Sequence, residues 1–141
     1  MYPILAIDYG EKNFGIAISD SKGIVASPLE VISVTKNRDL QTVIEEIIRI
    51  AIENRVKKIL VGKPQSFSKE QRKTEEKIEN FIKLFRKATN IEILTWDESF
   101  STTTAQNMLT SLGQNSRSSK TKIDKIAATV FLQEFLNSKN K

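Results

Sequence analysis

The sequence contains no histidine and no cysteine, and this restricts the side chains that could carry chemistry. Imidazole bases, thiolate nucleophiles and zinc sites built on sulfur are excluded. Carboxylates, lysines and hydroxyls remain for catalysis at neutral pH, with or without a hard metal ion held by oxygen ligands. The positions of the carboxylates therefore define the candidate site.

Four carboxylates stand at the ends of predicted elements. Asp8 ends the first apolar run, and Asp97 and Glu98 follow a run that ends at Trp96. Asp124 is predicted in the first turn of the last helix, on a face that continues through Ala127, Ala128 and Phe131. Each acid also has a purely structural interpretation: Asp8 as a turn residue, the others as solvated acids or partners of a helix dipole.

Converging carboxylates repel one another, and a bound cation would hold them ionised. Mg²⁺ suits such a site because it binds through a few carboxylates, keeps waters and accepts phosphate oxygens. Two such ions can activate a water and stabilise a leaving oxygen in phosphodiester cleavage. The acids therefore predict a site for Mg²⁺, with Mn²⁺ as the other candidate ion.

Positive charge gathers beside the last of these acids. Arg117, Lys120, Lys122 and Lys125 lie in or next to a polar linker predicted over 113–122. Lysine and arginine number 22 against 17 aspartates and glutamates, a net charge of +5, which favours a polyanionic partner. Such a loop suits phosphate contacts, and a solvated connection is the alternative.

The elements that position these residues follow from hydrophobic periodicity. Apolar, β-prone runs over 2–8, 14–19 and 24–34 with short connections predict an antiparallel meander. From Asp39 the spacing becomes helical. The remaining predicted elements are strands over 58–62 and 91–96 and helices over 68–88, 102–112 and 123–136.

Alternating strands and helices imply right-handed crossovers and parallel pairing. The 141 residues therefore predict one α/β domain over 1–141 on a mixed five-stranded sheet, three antiparallel strands followed by parallel ones, with helices on both faces. Ligand sites in such sheets lie beyond the carboxyl ends of the parallel strands. No apolar run approaches the ~20 residues of a membrane span, and no leader pattern opens the chain, so we expect a cytoplasmic protein.

Four segments of the chain resemble, in order and spacing, the YqgF family: IDYGEKNFGIAISD at 7–20, VGKP at 61–64, DESFST at 97–102 and IDKIAA at 123–128. The resemblance covers essentially the whole chain. It implies an RNase H-like fold, similar to the RuvC resolvases. It also implies that Asp8, Glu98 and Asp124 are the catalytic, metal-binding acids, supported by Asp97, Lys12 and Thr102.

Two arginines usual in that family are replaced here, by Asn13 and Ser99. Lys63 stands where the family has an apolar residue, and it joins the basic residues expected to bind nucleic acid.

The resemblance implies a nuclease, since the family is described both as a Holliday junction resolvase and as the nuclease that matures the 5′ end of 16S rRNA. The resulting hypothesis is a Mg²⁺-dependent endonuclease acting on precursor 16S rRNA. The alternatives are a resolvase of four-way DNA junctions and a non-catalytic RNA-binding factor of ribosome assembly. No long hydrophobic dimer helix is evident in the sequence, so a monomer or weak dimer is expected.

Overall fold

The computed structural model describes residues 2–10, 12–63, 69–97 and 119–139, with side chains except at 63, 69–72, 74, 97 and 119–125. The strands are β1 (Ile4–Asp8), β2 (Asn13–Ser19), β3 (Ala26–Ser33), β4 (Lys58–Lys63) and β5 (Glu92–Asp97). The helices are α1 (Leu40–Glu53), α2 (Lys69–Ala88) and α3 (Ser119–Lys139). The predicted helix over 102–112 lies outside the described residues.

Within the described residues the strands form one sheet in the order β3-β2-β1-β4-β5. β1 to β3 pair antiparallel, whereas β4 runs parallel to both β1 and β5. This confirms the predicted mixed sheet. Because β1, β4 and β5 run the same way, they end at one edge, here called the carboxyl edge. The opposite edge is called the amino edge.

Side chains alternate between the two faces of each strand and build two cores. Leu5 and Ile7 of β1 pack with α1 and α2 in the α1–α2 core, whereas Ile4 and Ala6 pack with α3 in the α3 core. The prediction of helices on both faces is therefore confirmed.

The helix α1 begins where the sequence predicts. The Asp39 carboxylate caps it by accepting a hydrogen bond of 2.8 Å from the N–H of Thr42. Its apolar stripe is buried against the sheet at Val43, Ile44, Ile47, Ile50 and Ala51.

The helix α3 begins earlier than predicted, and two expectations change with it. Residues 119–122, assigned to a linker, are helical; their Ser and Lys content is typical of linkers, yet lysine is a good helix former. Asp124 consequently lies in the second turn, not the first. Its interpretation as a partner of the helix dipole loses its basis, because that effect fades beyond the first turn.

The end of β5 also differs from its prediction, because Asp97 is the last residue of the strand and does not follow it. Parallel pairing with Lys63 extends the ladder to that residue. None of the helices in the described part of the chain combines the length and apolarity that crossing a membrane requires.

Candidate active site

Asp8 is the last residue of β1, at the carboxyl edge of the sheet. Its partner on β2 is Gly15 and its partner on β4 is Gly62. Residues directly opposite one another in a sheet bring their side chains together, and neither glycine has one. The two positions that flank the Asp8 carboxylate across the sheet therefore contribute backbone only.

Asp8 shares a face of the sheet with α3. Ile4 and Ala6 belong to the α3 core, and the period of two along a strand gives Asp8 the same direction. Trp96, level with Gly62 on β5, packs on this face too. Within the described residues its indole nitrogen is buried without a hydrogen-bond partner.

One side chain fixes how α3 lies on the sheet. The Gln133 amide accepts a hydrogen bond of 2.9 Å from the N–H of Ala26 and donates one of 2.8 Å to the carbonyl of Ile24. Ala26 pairs with Ser19, whose hydroxyl accepts a 2.8 Å hydrogen bond from the N–H of Ile4. Gln133 therefore lies at the amino edge, level with the start of β1.

The residues of α3 that precede Gln133 lie on this face of the sheet, because residues 127–132 are buried and Ala128 and Phe131 belong to the α3 core. Asp124 precedes Gln133 by nine residues, about 14 Å along a helix at 1.5 Å per residue. Asp8 follows Ile4 by four residues, about 13 Å along a strand. If α3 runs along the strands, these lengths bring position 124 to the level of Asp8 on the same face.

The opposite face holds the chain beyond Asp8 in place. The ring of Tyr9 makes edge contacts with Phe14 at 5.1 Å and with Phe81 at 5.5 Å between centroids. Any side chain at Gly10 would collide with the Asn13 carbonyl, so this position requires glycine. The loop that follows the candidate carboxylate is thereby anchored in the α1–α2 core.

The polar residues predicted around this loop are placed as follows. Lys12 is exposed. Asn13, where the resembling family usually has arginine, accepts a hydrogen bond of 2.6 Å from the Ser33 hydroxyl. Its side chain is therefore bound to the neighbouring strand.

Of the other predicted site residues, some lie in the described part of the chain and some lie outside it. Asp97 and Lys63 are in register at the carboxyl edge, and Lys120, Lys122 and Lys125 lie on the first two turns of α3. Three further predicted residues lie outside the described part of the chain: Glu98, Thr102 and Arg117.

The metal site thus stays a prediction. Among the side chains that the structure describes, no three carboxylates group as metal ligands, and those of Asp97, Glu98 and Asp124 are not among them. Neither glycine beside Asp8 is among the site residues predicted from the sequence. A glycine inside an apolar strand is a signal of close approach, and it could have identified them.

A mixed sheet in this order, with helices on both faces, is an RNase H-like resolvase fold. The chain is similar to RuvC of T. thermophilus, solved with a Holliday junction substrate, with a TM-score of 0.61 and 13% identity over 99% of this chain and 96% of that one. It is also similar to the Fowlpox virus resolvase, solved with Holliday junction DNA, with a TM-score of 0.58 and 17% identity over 99% and 100%. Identities this low show the fold alone.

The family model described as "RuvX: Holliday junction resolvase" matches residues 2–138. A protein of Fusobacterium nucleatum subsp. nucleatum, named "Putative pre-16S rRNA nuclease", is 39% identical over 137 residues, which is 96% of each chain. This chain belongs to the RuvX family, and the resemblance to the YqgF family is confirmed. The family is one of hydrolases that act on phosphodiester bonds, and nucleases and resolvases of this kind generally use divalent metals.

Proposed function

We propose that this protein is a Mg²⁺-dependent endonuclease that matures the 5′ end of precursor 16S rRNA. The observation that carries the proposal is the position of Asp8 between Gly15 and Gly62, at the carboxyl edge and on the α3 face. The name of the Fusobacterium relative, which is similar over nearly its whole length, supports the substrate. An enzyme acting on precursor rRNA would work in the cytoplasm.

The proposed ligands of the metal are Asp8, Glu98 and Asp124. Carboxylate oxygens fit a hard cation, and the flanking glycines place no side chain between Asp8 and such an ion. When bound, Mg²⁺ would supply an activated water and stabilise the leaving oxygen. Mn²⁺ would fit the same oxygen donors.

The strand period, continued one residue past the end of β5, favours Glu98 over Asp97 as the ligand. Trp96 packs on the α3 face, and residues two apart on a strand share a face. Position 98 is therefore proposed to join Asp8 and position 124, while Asp97 has a supporting role. Thr102 is proposed to support the site from the segment that follows.

The chain's cations complete the proposed mechanism by holding the phosphate backbone. Lys120, Lys122 and Lys125 stand on the turns of α3 around position 124, and Arg117 precedes them in the sequence. Lys63 ends β4 beside Gly62. Such contacts fix the register of a nucleic acid without reading its sequence, so the carboxylates would meet one particular phosphodiester.

Cleavage of four-way DNA junctions is the second candidate. The family model's description and the RuvC-like fold favour it. Cutting two strands symmetrically requires a two-fold dimer, so a junction-cutting enzyme should be dimeric in solution.

The test is cleavage of labelled precursor 16S 5′-leader RNA, free and in ribosomal particles, and of a four-way DNA junction, in Mg²⁺, Mn²⁺ or EDTA. We expect metal-dependent cutting of the RNA that Asp8→Asn lowers at least about 100-fold, because the amide removes a charged ligand. The matched control is Asp20→Asn, an exposed aspartate near the amino edge, which should keep activity within about twofold.

Each outcome assigns a function. Cutting of the junction alone would establish the resolvase and contradict the rRNA proposal. Binding of RNA without cleavage of either substrate, equal in wild type and Asp8→Asn, would instead identify a non-catalytic assembly factor.

A further inference from the structure

Two exposed lysines, Lys12 and Lys36, lie at the carboxyl edge on the β2–β3 side of Asp8. Lys12 directly precedes β2, and Lys36 follows β3 by three residues. The N–H of Val34 donates a 2.7 Å hydrogen bond to the carbonyl of Lys12. This bond continues the β2–β3 pairing past the strand ends and brings the two segments together.

The segment that carries Lys36 is a closed turn. Thr35 and Arg38 exchange backbone hydrogen bonds of 2.9 and 3.2 Å, which leaves Lys36 at the tip. The guanidinium of Arg38 lies 3.5 Å from the Glu46 carboxylate of α1. The turn is therefore attached to α1, which packs on the sheet, and Lys36 has a defined place relative to the sheet.

The charges of both lysines are unneutralised within the part of the chain that the structure describes, where neither forms an ion pair. The nearby Asp39 carboxylate is occupied, since it accepts hydrogen bonds of 2.8 Å from both the N–H and the hydroxyl of Thr42. Glu46 is shared between Arg38 and Arg49. Among the described residues, no carboxylate competes with an external anion for the two ammonium groups.

The distance from the candidate site suits a polyanionic strand. Asp8 pairs with Gly15, and Lys12 lies three residues further along that strand, about 10 Å away. Lys36 follows β3, two strands from β1 and about 10 Å across the sheet. Separations of about 10 to 15 Å span roughly three or four phosphates along one strand of a duplex.

We propose that Lys12 and Lys36 form a phosphate-contact surface that holds the nucleic-acid strand on the β2–β3 side of the cleavage site. The inference rests on the proposed function and deepens it by assigning part of the substrate's path. The lysines are positioning residues, because they hold the backbone away from the reacting phosphate. The cations on α3 would hold it near Asp124, so the substrate would be gripped at two places.

The experiment measures binding of the precursor 16S leader RNA and of the four-way junction in an Asp8→Asn background, across a series of salt concentrations. The variants are Lys12→Ala, Lys36→Ala and their combination. The control is Lys22→Ala, which removes the same charge from an exposed lysine near the amino edge. Since the altered side chains are exposed, all variants should unfold at the wild-type temperature.

Each substitution at the surface is expected to raise Kd about five- to eightfold at 0.1 M salt, because the slope of log K against log salt falls by about 0.7 to 0.9 per lost phosphate contact. The double variant should lose about 25- to 60-fold. Lys22→Ala should change Kd less than about twofold. In the active enzyme the loss of substrate binding should appear as a higher KM.

Equal losses for Lys22→Ala and Lys36→Ala would overturn the inference, because only net charge would then matter. Failure of the proposed function would look different. The wild type would cut neither substrate, while the binding difference between Lys36→Ala and Lys22→Ala would persist and would assign the surface to a binding protein.

Discussion

The two faces of the sheet are filled by different kinds of residue. In the α1–α2 core large rings reach the carboxyl edge, where Phe14 and Phe81 stack at 5.2 Å and Tyr9 packs on both. On the α3 face the positions around Asp8 on β1, β2 and β4 are small instead, namely Ala6, Ala17, Gly15 and Gly62, with the ring of Trp96 beside them on β5. The α1–α2 face therefore buries apolar surface as far as the carboxyl edge. The α3 face brings backbone and a helix close to Asp8.

This difference separates the face that supplies most of the stability from the face of the proposed chemistry. Apolar burial stabilises a fold by about 25 cal/mol per Å², and the large side chains of the α1–α2 core supply much of it. Converging carboxylates destabilise a fold unless a cation neutralises them. A face of small residues gives such a group room without interrupting the larger core.

The largest effect should follow from Phe81→Ala. Phe81 is fully buried and its ring contacts Tyr9, Phe14 and Phe85, so the cavity should lower the free energy of unfolding by about 3–5 kcal/mol. Urea denaturation followed by the fluorescence of Trp96, the single tryptophan, measures it. Cleavage well below the lowered Tm should fall less than about fivefold, since Asp8 faces away from the cavity and Tyr9 keeps its contact with Phe14. A loss of activity without a loss of stability would contradict the division between the faces.

The next effect separates two neighbouring acids. Glu98→Gln should lower metal-dependent cleavage about 100-fold, equivalent to about 2.7 kcal/mol in the activation free energy. Asp97→Asn should lower it less than about tenfold, because position 98, and not position 97, is proposed to share the α3 face with Asp8. Single-turnover cleavage at saturating Mg²⁺ gives both values, and the reverse order would show that β5 presents its acids differently.

The strands and the amphipathic helices could be read from the sequence, because periods of two and 3.6 residues record which side chains are buried. Periodicity alone predicts α1 from the spacing of Val43, Ile44 and Ile47, and all three are fully buried. The start of α3 could not be read in this way. Ser119, Lys120 and Lys122 suit a linker as well as a helix, and nothing local to them decides between the two.

The pairing of Asp8 with its two glycine neighbours was beyond sequence reasoning for a different reason. Gly15 and Gly62 are 47 residues apart in the chain and come to flank one carboxylate only through the register of β1 with two strands. That register depends on the packing of whole faces, which a single sequence without its pairings does not specify. The acids could therefore be named individually as candidates, and the pairing that surrounds Asp8 could not be predicted.

The smallest effect concerns the cap of α1, the helix that covers the more stabilising face. Hydrogen bonds from the Thr42 backbone and hydroxyl lower the pKa of Asp39 below its ordinary value of 3.8. The unfolded chain then binds the proton more readily, so the cap stabilises the fold above about pH 4 and loses its effect as the pH falls through the lowered pKa.

Asp39→Ala should lower Tm by a constant amount between about pH 5 and 7, and this difference in Tm from the wild type should narrow below about pH 4. Asp39→Asn keeps a capping oxygen that does not titrate. The difference in Tm between Asp39→Asn and Asp39→Ala should therefore not vary with pH. An Asp39→Ala gap that stayed constant into acid would show that the helix start depends on the shape of the cap and not on its charge.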